Sequence, residues 1–589
     1  MTLTTELLIT LVKVVFVALL FCMPVAVLLT WADRRQGAMI QDRVGPNRAA
    51  ILMPGKVAAA LLVIPAIAAA LLALAWAWFV KAAGEAPVID GIISSQLAIA
   101  SVWLTLFVIA GRIRVRGLCN SLDVFVKALG DPRAILGAGL LANIGMLSAF
   151  VMLRGTSEIA ILNDISVSSG PALFAAAVVG GATYQASILG KRPKVGLRLA
   201  GTLHAAADGL KTIFKEDLVP PSADQFIHGL APFIAFFPVL VVLAVVPFGN
   251  DLCFNPASAL SDLLRQAPEV CAATTLKLQI LDLDIGLLFY FALGGTGIIG
   301  AALAGWASNN KYSLLGGLRA ASQMVSYEVT MGLTLIGALM IYGTMRIDQM
   351  VLWQQSHAWG IFVQPLAFVL FFTAAVAESK RTPFDLPEGE SEIVAGYFTE
   401  YSGMKFAMFF FAEYVTIVTA AALMVALFLG GWHLPFVDRQ GIRVAIGGVV
   451  YLQLALPQIL VVLLSVGAFI TKTLLLCWLQ LLVRWTVPRF RYDQLMKLGW
   501  RILLPISIVN ILVTGLVQRL LAMGGIDTGF VLKLAGELTQ LLVALLGVWL
   551  LVLLAIELLK PARHKRMLIS SAARFADQMG GIRSRRMGA

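Results

Sequence analysis

The chain has 589 residues, of which 59% are hydrophobic and only 13% charged, with a mean hydropathy of +0.87. Soluble domains carry about 25% charged residues, so this composition excludes a soluble globular protein and indicates an all-α, polytopic transmembrane one. The net charge of +12 is accounted for by basic inner loops, and no nucleic-acid partner is expected.

A transmembrane helix needs about 20 apolar residues. In chain order such segments fall at 8–30, 57–80, 92–110, 134–153, 171–190, 228–248, 285–306, 324–342, 358–377, 406–428, 447–483, 500–518 and 529–559. That makes about thirteen crossings if 447–483 counts once. One crossing plus a surface helix is the alternative there, and it leaves the parity unchanged. The first segment carries no basic leader and no small-residue cleavage site, so it reads as a membrane helix rather than a cleaved signal. With the N-terminus outside, most of the 45 Lys and Arg fall on inner segments, as the positive-inside rule demands. The C-terminus is then cytoplasmic, and the expected location is a cytoplasmic (inner) membrane.

Between 195 and 217, "VGLRLAGTLHAAADGLKTIFKED" is too polar to span. Leu199, Leu203, Leu210 and Phe214 share one helical face, while His204, Asp208, Lys211 and Lys215 share another. This pattern predicts a helix lying in the inner interface, with an ordinary connector helix as the alternative. The five cysteines and five histidines are scattered, with no ligand spacing for a metal. Cys253 and Cys271 share the outer loop 249–284; two isolated thiols are the commoner outcome for such a pair, and a disulfide is the alternative.

The inner loop 378–405 departs from the charge rule. It holds six acids (Glu378, Asp385, Glu388, Glu390, Glu392 and Glu400) against Lys380, Arg381 and Lys405. Pro383 and Pro387 stiffen its start, and Phe384, Leu386, Ile393, Val394, Tyr397, Phe398 and Tyr401 interleave with the acids. That apolar content predicts a loop folded back into protein. Glu413 and Glu328 lie inside neighbouring spans, where an ionisable group is costly unless paired or hydrated. Packed acids cannot all ionise, so some of them are raised in pKa and can hold and relay protons.

The stretch "AESKRTPFDLPEGESEIVAGYFTEYSGMKFAMFFFAEY" resembles the signature of the quinone-site membrane subunit of respiratory complex I, the proton-pumping NADH:quinone oxidoreductase. "WADRRQGAMIQDRVGPNRA" (31–49), "AAADGLKTIFKED" (205–217), "AGWASNNKYSLLGGLRAASQMVSYE" (304–328) and "VRWTVPRFRYDQLMKLGW" (483–500) resemble the same family, in its order. The resemblance implies a proton-translocating function with quinone as substrate and no redox centre in this chain. Iron–sulfur clusters and FMN would sit on soluble partners, and antiporter-like subunits would be further partners in the membrane. It implies a proton-relay role for Glu328, Glu378, Asp385, Glu388, Glu390, Glu392, Glu400 and Glu413. It also implies a quinone chamber bordered by Arg43, Arg381, Phe384 and Asp385.

The family core has eight crossings, assigned here to residues 1–50 and 196–518. Residues 51–195 read as an insertion of four further crossings, with a basic inner loop carrying Arg112, Arg114, Arg116, Lys127 and Arg133. Residues 519–589 add one crossing and a basic tail with eight Lys and Arg from Lys560 onward, suited to an anionic membrane surface. The anchor subunit of a related membrane-bound hydrogenase is the alternative within the superfamily. A stand-alone transporter, which would show internal repeats, is the alternative outside it.

Overall fold

The computed structural model describes residues 3–41, 45–46, 49, 51–83, 171–183, 186, 194–197, 201–254, 274–446, 449–523 and 528–559. Among these, nine helices are long and apolar enough to cross a membrane, and the protein is a multi-pass membrane protein. The expected spans at 92–110 and 134–153 lie outside the described residues. So do Arg43, the inserted basic loop and the C-terminal tail.

The chain forms two compact units, residues 1–49 with 200–543 and residues 50–199 with 544–589. In the second unit, β1 (Ile51–Pro54) and β2 (Lys194–Leu197) pair antiparallel, with Ile51 opposite Leu197 and Pro54 opposite Lys194. The ladder precedes a long apolar helix, Gly55–Ala83.

The first unit opens with the helices α1 (Leu3–Val14) and α2 (Met23–Ile40), joined without a break by a π-helical stretch, Val15–Cys22. Next come the amphipathic α3 (Leu203–Ile213) and α4 (Gln225–Val241). On α3, Leu210 and Ile213 are exposed, as is Phe214 just beyond it, while Asp208 pairs with Arg34 of α2 at 2.5 Å. Asp224 caps α4 by accepting from the Ile227 amide at 3.1 Å. Helices α5 (Gly286–Ala307) and α6 (Lys311–Tyr342) follow and pack on each other. Small residues set how closely these helices approach, as is common in membranes. A Cβ at Gly300 would lie 2.5 Å from the Ala235 backbone nitrogen, so α5 meets α4 backbone to backbone.

Beyond α6 lie α7 (Ile347–Ser356), α8 (Gly360–Val363) and α9 (Pro365–Glu378). The span expected at 358–377 is therefore interrupted at Gln364, where Pro365 starts the next helix. The acidic loop holds two short helical turns, α10 (Glu390–Ile393) and a 3-10 turn, Gly396–Phe398, before α11 (Gly403–Phe428). Helix α11 is the most enclosed of the spans, and every residue from Ala420 to Phe428 is buried.

After α11 the chain makes a three-stranded antiparallel sheet: β3 (Val437–Asp438), β4 (Gly441–Ile446) and β5 (Val449–Ala455). This corrects the span expected at 447–483, which begins as a strand. Val449, Val450 and Tyr451 favour a pleated strand, and Pro457 precedes the single helix that follows, α12 (Gln458–Thr486). The first unit ends with α13 (Tyr492–Lys497), α14 (Leu504–Met523) and the first part of α15 (Thr528–Leu559). Cys22 and Cys477 are free and buried. Cys253 is disulfide-bonded, against the expectation of isolated thiols; Cys271 lies outside the described residues.

Candidate functional site

The acidic loop folds back into protein, and its own apolar residues are the reason. Phe384, Leu386, Ile393, Tyr397 and Phe398 are all buried. Gln323 of α6 pins the loop's start, its side-chain amide donating to the Ala377 and Phe384 carbonyls at 2.8 Å each. Phe384 lies between Tyr327 and Phe490, with ring centroids 5.8 and 5.4 Å away. The loop's middle leans on α6 at Gly316, where a Cβ would come within 2.5 Å of the Tyr397 nitrogen.

This folding brings two cations onto Glu413. Arg381 lies 2.7 Å from Glu413 Oε2. The Tyr397 hydroxyl donates to Oε1 at 3.2 Å and accepts from Lys380 Nζ at 3.1 Å. Glu413 is 1% exposed, and Lys380 and Arg381 are buried with it. A buried charge left without its partner costs about 3–5 kcal/mol, so the group holds together as a unit.

Beside it is a cavity of about 30 Å³ whose lining includes Tyr290, Gly294, Met324, Glu378, Lys380, Glu413, Thr416 and Thr419. That is room for about two waters. Glu328 sits one helical turn from Met324, its carboxylate against Gly295, where a Cβ would fall 2.7 Å from Oε1.

Toward the loop, Asp385 is buried and accepts from Arg489 at 3.0 Å through one carboxyl oxygen. The Glu388 side chain also hydrogen-bonds with it. Burial, reinforced by the Glu388 charge and opposed by Arg489, pushes Asp385 up to about 7. Glu388 interacts electrostatically with both Asp385 and Glu413.

Glu392 and Glu400 stand apart from this row. Glu392 is half exposed and pairs with Arg319 at 2.7 Å. Glu400 accepts from Asn310 at 2.7 Å. Glu390 opens α10, and its side chain lies outside the described residues, as does Arg43.

Asp33 belongs to the site, although its sequence context does not announce it. It is buried in the C-terminal half of α2 and accepts from the Trp485 indole at 2.8 Å, from the Tyr414 hydroxyl at 3.1 Å, and from Arg484. Arg381 lies over the Tyr414 ring, 4.5 Å from its centroid. The Tyr414 ring thus links the Arg381–Glu413 pair to Asp33. The only hint in the sequence is an acid following an apolar helix in the "WADRR" stretch, and Arg484 is 451 residues away along the chain.

Among the described residues, no three His, Cys, Asp or Glu side chains converge as metal ligands.

A family model described as NADH dehydrogenase matches residues 191–515, more than half of the chain. An H-type NADH-quinone oxidoreductase subunit of Geobacter sulfurreducens is 44% identical over 320 residues, covering 54% of this chain and 83% of the relative. Another H-type subunit, from Geobacter metallireducens, is 43% identical over 322 residues, covering 54% and 84%. The H-type subunit of Bacillus cytotoxicus is 42% identical over 321 residues, covering 54% and 81%. With the family match spanning the acidic loop, Glu413 and the Arg484–Trp485 pair that meets Asp33, the chain belongs to the NADH dehydrogenase family of membrane subunits.

Proposed function

We propose that this subunit forms the membrane part of a quinone chamber in a proton-translocating NADH:quinone oxidoreductase, and that its buried carboxylates answer quinone reduction by shifting protons. The observation that carries this reading is Glu413, enclosed between Arg381 and the Tyr397–Lys380 pair beside a cavity that Glu378 also lines.

The chemistry follows from charge. Reducing a quinone to a quinol consumes two electrons and two protons. Asp385, half protonated near pH 7, is suited to release a proton toward the loop side. A fresh negative charge there is felt by Glu388 and, through it, by Glu413. Like charges at this spacing cannot all remain ionised, so a proton moves along the row to restore neutrality. The Arg381 guanidinium stays charged throughout and holds Glu413 and Tyr414 in place. Glu378, the cavity and Glu328 extend the row away from the loop.

In the rest of this proposal, residues 1–50 and 196–518 form the working core, while 51–195 and 519–589 are additions to it. The acidic loop faces the cytoplasm. Soluble subunits carrying iron–sulfur clusters and FMN cover it, and antiporter-like subunits adjoin it in the membrane. Arg43, Phe384 and Arg381 border the chamber with Asp385.

Glu413→Gln tests the reading, since Gln keeps the size and cannot carry a proton. In membranes with confirmed assembly, NADH:quinone turnover should fall about tenfold or more while NADH:ferricyanide reduction holds. Parental turnover in both assays would overturn it.

A further inference from the structure

Helix α11 carries Glu413 near its beginning, and its far end is buried. A buried helix end must find partners for its last carbonyls. Three of those near the end of α11 are taken by side chains from other elements. Ala426 O accepts from Gln354 at 2.8 Å and Leu427 O from Tyr342 at 2.7 Å. Leu429 O accepts from Lys472 at 2.7 Å.

Lys472 does more than fill one vacancy. Its ammonium also donates to Gly431 O at 3.1 Å and His433 O at 2.6 Å, and it lies 4.3 Å from the centroid of the Trp359 ring. Two left-handed glycines make this convergence feasible. Gly430 has φ +68° and Gly431 has φ +49°, a region that costs side-chain-bearing residues energy. A Cβ on either would meet Trp359 at 2.8 Å or Val351 at 2.6 Å.

Three carbonyls converging on one nitrogen need three N–H donors. The ammonium form supplies three and the neutral amine only two. Next to it, His433 is buried, and burial with the Lys472 charge pushes it down to about 3. It is therefore neutral, and its Nδ1 faces the Trp359 indole N–H at 3.4 Å. In its ammonium form Lys472 places one positive charge where a helix dipole is negative.

We propose that the end of α11 is closed by a tethered-cation site, in which three backbone carbonyls and the Trp359 face bind the Lys472 ammonium, and that Lys472 is thereby a positioning residue for the helix that carries Glu413. This goes beyond the proton-relay reading and rests on it only in using quinone turnover as one readout. What the site requires is a cation with three N–H donors, rather than the aliphatic stem that delivers it.

The test uses the assembled complex. Lys472→Ala removes three methylene carbons and the ammonium, a fragment that n-propylammonium replaces. NADH:quinone turnover of Lys472→Ala should fall about fivefold or more, with NADH:ferricyanide reduction unchanged. Added n-propylammonium should recover at least half of the loss. Tetramethylammonium, which has charge and no N–H, should recover none. Lys472→Met keeps the stem's bulk, and it should lose turnover without responding to either ion.

If Lys472→Ala does not assemble, assembly becomes the readout, with each ion present during growth and membrane preparation. Recovery by n-propylammonium alone supports the site. Equal behaviour with the two ions, or parental turnover in Lys472→Met, overturns it. Glu413→Gln complexes should show no response to n-propylammonium, so failure of the cation site and failure of the proton relay are separable.

Discussion

The Tyr414 hydroxyl donates to Asp33 across 381 residues of sequence, at 3.1 Å. That bond joins α2 to α11 at the level of Arg381, whose guanidinium faces the Tyr414 ring on one side and Glu413 on the other. A single neutral hydrogen bond contributes about 0.5–1.5 kcal/mol, and bonds to charged groups about 1.5–3. Those figures bear on stability; for turnover, Tyr414→Phe should cost no more than about threefold, because Arg484 and Trp485 still hold Asp33. Asp33→Asn removes the charge that Arg484 answers, and should cost about tenfold. Steady-state NADH:quinone assays at matched complex content check the order; equal losses would place the weight on the Tyr414 bond instead.

The pH dependence of turnover should report Asp385. Its folded-state pKa is raised from 3.8 to about 7, with burial the first cause and Glu388 the second. The carboxyl is thus protonated below about pH 7 and charged above it. A group that donates its proton works only in the protonated form, so turnover should decline through the neutral range as pH rises. Asp385→Asn cannot donate, and should be slow with a flat profile between about pH 6 and 8. A parental decline persisting in Asp385→Asn would assign that limb to another group.

Residues 51–195, expected as an insertion, are bounded by one antiparallel ladder, Ile51 to Pro54 against Lys194 to Leu197. Their two ends are therefore side by side, so excision needs no rearrangement of what remains. Replacing 55–193 by an Asn-Gly turn, the type that suits a tight hairpin, should leave the acidic loop on the same membrane side. Cysteine labelling of the loop in intact cells and in inverted vesicles reads this directly. Reversed sidedness would mean that the segment crosses the membrane an odd number of times.

Much of this is legible in the sequence because hydropathy is a local property. Most expected spans coincide with helices, and the apolar residues interleaved through 384–401 foretell a folded loop. Three features escape, each for a physical reason. Asp33 draws its meaning from Arg484 and Trp485, partners no local window contains. Lys472 stands within an apolar run, and its ligands are backbone carbonyls, which leave no mark on residue identity. The strand Val449–Ala455 lies in a run as apolar as a span; its β-branched residues and the following Pro457 are the available signal. The acids of the loop separate for a similar reason. Six look alike in sequence, yet Asp385 is buried against Arg489 while the half-exposed Glu392 meets Arg319.

That separation makes the most direct test possible, with Glu392 as the control. The central claim is that Glu413 changes its protonation or hydrogen bonding when quinone is reduced. Infrared difference spectra of the assembled complex, taken between oxidised and reduced quinone, detect this through carboxyl C=O bands. An exposed ion pair contributes about 0–1 kcal/mol, so Glu392→Gln should turn over within about twofold of the parent and keep the parental carboxyl signal. In Glu413→Gln, part of that carboxyl signal should vanish. A carboxyl difference spectrum identical in Glu413→Gln and the parent would contradict the account.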